Sequence, residues 1–287
     1  MLPTLIDGLS LGAIYALIAL GYTMVYGIAK MLNFAHGDVI MVGAYAVFTT
    51  LMLDVGVISK PLAVIVAIVV CTLLGIGIER FAYRPLRGAS PLAVLITAIG
   101  VSYLLQGAAQ LIYGAKSQTL DFSIQGKLFG INYSTLITLV VATVIMVSLT
   151  VFVKFTKTGR AMIAVSEDRA AAQLMGINVN KIITVTFAIG SALAACASVF
   201  YLMQIPATSP TLGSMPGIKA FTAAVIGGIG SIPGAMLGGV LLGIIEKISL
   251  SIPELAPYTT AIEFSLLILI LLVKPTGILG KKRREKV

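Results

Sequence analysis

The sequence predicts an all-α, polytopic integral membrane protein with about eight to nine transmembrane segments, some of them broken or re-entrant. Three observations predict it. Of 287 residues, 58% are hydrophobic and 11% are charged, where a soluble domain carries roughly 25% charged residues. That leaves too few charges to cover a water-facing surface, so lipid is the main solvent. The apolar residues fall in runs near the ~20 residues that a helix needs to cross the hydrocarbon core. Two stretches between or within those runs are rich in glycine, proline and polar residues.

The runs follow in order. Leu5–Tyr26 is preceded by no basic region and no small-residue cleavage pattern, so it reads as a retained first helix. Gly8, Gly12 and Ala16 recur every four residues along it, a spacing that lets helices approach closely in lipid. Asp38–Leu53 is slightly short for a full crossing. Pro61–Phe81 and Pro91–Tyr113 have spanning length, and Gln106 and Gln110, one turn apart on the latter, suit bonds between helices. The polar stretch 114–133 reads as the longest external loop, with no pattern long enough for a separate domain. Ser134–Val153 and Ile182–Gln204 span again and flank a polar loop at 154–181. Met215–Gly230 and Gly234–Leu250 are shorter, and the second carries Ala235, Gly239 and Gly243 at the same four-residue spacing. Tyr258–Val273 is the last span, so residues 1–287 form a single membrane domain.

Charge sets the orientation. Fifteen of the twenty Lys and Arg residues fall at Lys30, at Arg80–Arg87, in the 154–181 loop and in the tail from Lys274 to Lys286. The other five are Lys60, Lys116, Lys127, Lys219 and Lys247. The bias places the 154–181 loop and the C-terminus in the cytoplasm. It also accounts for the net charge of +9 without nucleic acid as a partner.

The chain shows no catalytic constellation. Gly126-Lys127 is followed by Leu128, so it is no phosphate loop, and Gly228-Ile-Gly230 follows no strand. One histidine and the distant Cys71 and Cys196 make no metal site or disulfide pattern; both cysteines read as buried packing residues. Catalytic residues, metals and cofactors are therefore expected to be none in this chain. Glu79, Arg80, Glu246 and Glu263 read as lying toward span ends, which gives no buried chain of acids for proton coupling.

Two stretches point to a path through the membrane. The first holds Asn33, His36, Gly37 and Asp38 just before a short apolar helix. The second, 224–234, holds Gly227, Gly228, Gly230 and Ser231 with Pro233, a composition that cannot sustain a helix. Irregular backbone at membrane depth is tolerated where protein or a water-filled cavity surrounds it, and paired breaks mark transport sites. The same residues also suit tight turns at the membrane surface, with Asp38 as a first-turn acid.

The loop at 154–181 carries a further signal. Ser166 suits an N-cap, Glu167 and Asp168 a first turn, and Gly176 a left-handed C-terminal residue, which together predict one helix of about nine residues. A polar helix this short barely forms alone, so it is expected to dock. Glu167, Asp168 and Arg169 form its polar side, and Ala172 and Met175 its apolar contact. It either inserts into a partner or lies against the membrane.

The pattern from Gly159-Arg160 through Glu167-Asp168 to Met175-Gly176 resembles the cytoplasmic coupling loop of ATP-binding-cassette importer permeases for branched-chain amino acids. Asn33-Phe34-Ala35-His36-Gly37-Asp38 resembles a motif near the second helix of that family, and Ala224–Ala235 its Gly-rich segment. The three lie in the family's order across nearly the whole chain, in its shorter permease type. The resemblance implies that Gly159, Arg160, Glu167, Asp168, Arg169 and Gly176 serve coupling to an ATPase. It implies a second permease subunit of the same family, two cytoplasmic ATPase subunits and a periplasmic solute-binding protein as partners, in a bacterial inner membrane. Some members carry amides or urea instead, and a self-contained secondary transporter is the alternative of a different class.

Overall fold

The computed structural model describes residues 2–280 apart from 54, 55, 120, 121, 123, 125 and 129. The basic tail residues Lys281, Lys282, Arg283, Arg284 and Lys286 lie outside the described residues. The helices are α1 (Leu2–Ala29), α2 (His36–Met52), α3 (Ser59–Ile78), α4 (Pro91–Tyr113) and α5 (Tyr133–Phe155). After the short α6 (Lys157–Glu167) and α7 (Arg169–Leu174) come α8 (Val179–Gln204), α9 (Ser214–Gly227), α10 (Ile232–Ser251) and α11 (Thr259–Val273). Among the described residues seven helical segments are long and apolar enough to cross a membrane, α2 is a shorter apolar helix, and α9 has 14 residues. The chain is thus an all-α multi-pass membrane protein, as its composition predicts.

The helix starts follow local rules. Ser90, Thr156, Asp168, Asn178 and Ser231 each accept a hydrogen bond from a backbone N–H in the first turn that follows. Pro91 and Pro233 sit in first turns, where a missing N–H costs nothing.

α1 is the central post of the bundle and is buried along most of its length. Its closest neighbour is α10, and the small-residue spacing shows why. A side chain on Gly12 would press on the Val240 backbone, one on Gly239 on the Ala16 backbone, and one on Gly8 would lie 3.0 Å from the Ile244 Cα. The two ladders interlock backbone to backbone, which maximises dispersion contact where lipid offers no hydrophobic drive. Gly239→Leu is therefore expected to lower the melting temperature in detergent markedly, at a cost of about 1–3 kcal/mol or more. Gly100→Leu is the control, because nothing lies within 4 Å of a Cβ there; equal melting of both would remove the seam's role.

The helix ends define two faces. One gathers the end of α1, the loop at Arg84–Arg87, α6, α7, the turn at 228–231 and the tail at 274–280; this is the basic end. The opposite end holds Asp7, bonded by Thr135, and Ser10, bonded by Gln204. There the loop at 114–133 is not plain coil. Gln118–Thr119 (β1) pairs antiparallel with Ala207–Thr208 (β4), and Lys127–Leu128 (β2) pairs with Ile131–Asn132 (β3).

Candidate functional site

After α1 ends, the chain turns back into the bundle before α2 begins. His36 packs beside Gly21 and edge-on to Tyr22, with ring centroids 4.7 Å apart. Gly21 lies about 12 Å from the end of α1 at 1.5 Å per residue, so α2 starts at depth. α9 starts beside it. A side chain on Gly37 would strike the Gly213 carbonyl, one on Gly213 the Gly37 carbonyl, and one on Gly217 would lie 2.9 Å from the Gly37 Cα. Glycine is required because two helix starts meet there backbone to backbone. Neither start has a side-chain cap.

This junction opens onto a cavity of about 440 Å³ bounded by α1, α2, α4, α9 and α11, a size in the range of small-molecule sites. Phe221 sits between Tyr22 and Phe34, with centroids 5.8 and 5.5 Å away, and forms one apolar wall. Phe264 and Leu267 of α11 form another. The cavity's carboxylate is Asp38, 3% exposed, whose Oδ1 accepts a hydrogen bond of 2.9 Å from Gln106 Nε2. Gln106 thus bonds between helices as its position suggested.

The two predicted breaks part company here. Gly37 and Asp38 line the cavity. Asn33 and His36 stand behind it; the Asn33 Oδ1 accepts a 2.9 Å hydrogen bond from Tyr83 OH. Gly227, Gly228, Gly230 and Ser231 do not line it. They form a tight turn between α9 and α10 at the basic end, the second of the two conformations their composition allows. Gly228 and Gly230 have φ of +109° and +93°. The tail closes over the turn, with Ile278 N–H donating to Ile226 O at 2.8 Å and Leu279 N–H to Gly227 O at 2.9 Å.

The 154–181 loop departs from the single helix predicted from Ser166. α6 runs through Ser166 to Glu167, and the chain restarts at Asp168. The Asp168 carboxylate accepts from Ala170 and Ala171 N–H at 2.8 and 3.0 Å and caps the second helix. α6 buries Gly159, Met162 and Val165 against the bundle, while Arg160 and Glu167 stay exposed. α7 ends in a Schellman motif: Gly176, φ +80°, donates to Gln173 O and Ile177 to Ala172 O, both at 3.0 Å. Ala172 faces inward and is buried, which corrects its predicted place on the docking side. Met175, the other residue of the predicted apolar contact, is 82% exposed, and Leu174 beside it is 89% exposed.

Arg169 belongs to the chain's own fold. Its guanidinium donates to the Ala29 and Ile28 carbonyls at the end of α1, a cation on the negative end of a helix dipole. Burial, and then nearby Arg87, hold its pKa below the ordinary value. A second cavity of about 600 Å³ opens between α7 and the start of α8, lined by Arg87, Arg169, Gln173, Gly176 and Asn180.

One cluster escaped the sequence reading. Lys219, Glu246 and Glu263 are not near solvent: the lysine Nζ lies 2.7 Å from Glu246 Oε1 and 3.2 Å from Glu263 Oε1, with Glu263 0% exposed. Tyr15 OH donates to Glu246 Oε2 at 2.7 Å. Four helices converge on this network. Glu79 is also buried, held by Arg87 and by Thr184 Oγ1 at 2.7 Å. Buried acids are therefore present, and Glu79, Glu246 and Glu263 each lie beside a cation.

Known proteins bear on the class. A family model described as branched-chain amino acid transport system / permease component matches residues 4–272. The chain is 47% identical to the high-affinity branched-chain amino acid transport system permease protein BraD of Pseudomonas aeruginosa, over 100% of this chain and 98% of that one. It is 44% identical to the corresponding permease protein LivH of Escherichia coli, over 100% and 97%. A chain of the structure of PsaBC from Streptococcus pneumoniae in complex with Fab shares the fold, with a TM-score of 0.51, 15% identity and coverage of 96% and 92%.

Proposed function

The chain belongs to the permease family of branched-chain amino acid transport systems, and from that premise we propose that it is the membrane-spanning subunit of an importer driven by separate ATPases. Its cargo is leucine, isoleucine, valine or a close relative, carried from periplasm to cytoplasm. The basic end, with the C-terminus, faces the cytoplasm of a bacterial inner membrane, following the excess of positive residues there. A periplasmic binding protein delivers solute to the opposite end, and a second permease of the same family completes the pathway.

Solute passes through the cavity at the α2–α9 junction. Gly37 and Asp38 line its wall, and Asn33 and His36 fix the backbone that presents them. Gly227, Gly228, Gly230 and Ser231 act beside the path, by holding α9, α10 and the tail together at the cytoplasmic end.

Coupling rests on one observation above all: α7 ends in two apolar side chains, Leu174 and Met175, held out from the bundle. Exposed apolar side chains at a rigid, doubly capped tip are what a partner's pocket takes. Gly159 and Arg160 begin the preceding helix, Asp168 and Gly176 cap the tip at its two ends, Arg169 ties it to α1, and Glu167 remains free to meet a basic partner group. An ATPase that pushes on the tip moves α1, the post around which the bundle is built.

The double variant Leu174→Asp/Met175→Asp is expected to insert and fold normally, since neither side chain packs on its own chain. It should lose co-purification with the ATPases and lower ATP-driven uptake by about tenfold or more. Gly176→Pro, which removes an N–H bond and forbids the positive φ, should do the same. Full uptake in both would overturn the docking role, and solute accumulation by this permease alone in vesicles would overturn the importer reading.

A further inference from the structure

The reading of the junction cavity as the path leaves open which groups recognise the solute. Tyr22, Phe34, Ile218, Phe221, Phe264 and Leu267 give the cavity the apolar surface that a side chain of leucine or valine requires, beside the hydroxyls of Ser102, Ser214 and Thr222. Asp38 is the one charged residue in its lining. Its carboxylate is almost fully buried, yet its partner is a neutral amide: Gln106 Nε2 donates to Asp38 Oδ1 at 2.9 Å and to Ser102 Oγ at 3.3 Å. No ion pair to Asp38 exists among the described residues. The contrast inside this molecule is sharp, for Glu79, Glu246 and Glu263 each have a cation in salt-bridge range.

An unpaired buried carboxylate is costly to keep. It is tolerable where a cation visits. The Gln106 bond holds one oxygen of a side chain that lines the cavity bounded by α1, α2, α4, α9 and α11. The solute class of the proposed importer carries such a cation, an α-ammonium, two bonds from an aliphatic side chain.

We propose that Asp38 is the specificity residue that meets the α-ammonium group of the passing amino acid, while Phe34, Phe221, Phe264 and Leu267 receive its aliphatic side chain. The contact is transient, because a path must release what it binds. It selects for amino acids over the corresponding carboxylic acids, which present no cation to offset the carboxylate.

The complete transporter, reconstituted with its partner permease, ATPases and binding protein, supplies the test. Asp38→Asn keeps an oxygen for Gln106 and is expected to leave assembly unchanged, while leucine uptake falls about tenfold or more, the worth of a charge-assisted hydrogen bond. Asp38→Glu should restore part of it. In the unmodified complex without binding protein, leucine should displace radiolabelled leucine, whereas 4-methylpentanoate, its analogue without the ammonium, should not. Equal displacement by the two, or full uptake by Asp38→Asn, overturns the proposal. Ile218→Trp separates it from the path itself. Ile218 lines the cavity and is 46% exposed, so the larger ring fits without disturbing the core and narrows the space. Blocked uptake in Ile218→Trp beside normal uptake in Asp38→Asn keeps the path and removes the ammonium contact; normal uptake in Ile218→Trp removes the path.

Discussion

Lys219→Met is expected to destabilise the folded permease by about 3–5 kcal/mol, the cost of removing one partner from a buried ionic network. The methionine is nearly isosteric, so the loss is electrostatic and not a cavity effect. Without the ammonium, Glu246 and Glu263 face each other across low dielectric with only Tyr15 to donate. The consequence should centre on α11. Only two residues of that helix are buried, Thr259 and Glu263. Releasing Glu263 frees the helix whose next residue, Phe264, walls the cavity. Thermal melting in detergent should show the loss, and a cysteine placed at Ala261 should be labelled faster than in the parent. Lys219→Met/Glu263→Gln, which removes one charge of each sign, should recover part of the stability. Parental melting of Lys219→Met would show that the network restrains nothing.

That cluster also marks where the sequence stops being legible. The helices were legible because their apolar runs and breaks are local features. The two small-residue ladders on α1 and α10 were legible because small residues every four positions favour close approach, but their facing each other was not. Gly176 was legible because a left-handed helix end leaves few other choices. The convergence of Lys219, Glu246 and Glu263 depends on how α9, α10 and α11 are set against α1, and no window of sequence holds that. Each residue taken alone looks like a charge near the end of a run. The stretch at 227–231 shows a second limit. Its composition says only that a helix breaks; the tail, some fifty residues later, bonds to Ile226 and Gly227 and makes the break a surface turn. In the 154–181 loop, Ser166 suited the cap and Asp168 the first turn, yet Asp168 is the cap. The choice fell to Asp168 because Met162 and Val165 bury against the bundle and carry the first helix past Ser166.

At the cavity, burial and function pull on the same glycines, and this makes the smallest substitution informative. Gly213→Ala adds one methyl group, yet it is expected to lower uptake by about tenfold or more while the protein still inserts. The new Cβ would meet the Gly37 carbonyl, which is backbone at the start of α2 and cannot swing aside as a side chain would. Relief requires α2 and α9 to part by a fraction of an ångström or more, at about 1–3 kcal/mol of strain. Asp38 is the residue after Gly37, so the same shift moves its carboxylate relative to Phe221, and misplacement of about 1 Å is enough to forfeit a positioned contact. Gly107→Ala on α4 is the control, since a Cβ there meets nothing within 4 Å. Normal transport by Gly213→Ala would mean that the two helix starts slide freely, and the cavity would then owe nothing to their close contact. Loss of uptake with near-parental melting would locate the demand for glycine in the geometry of the path. A large drop in melting with uptake preserved would locate it in packing alone.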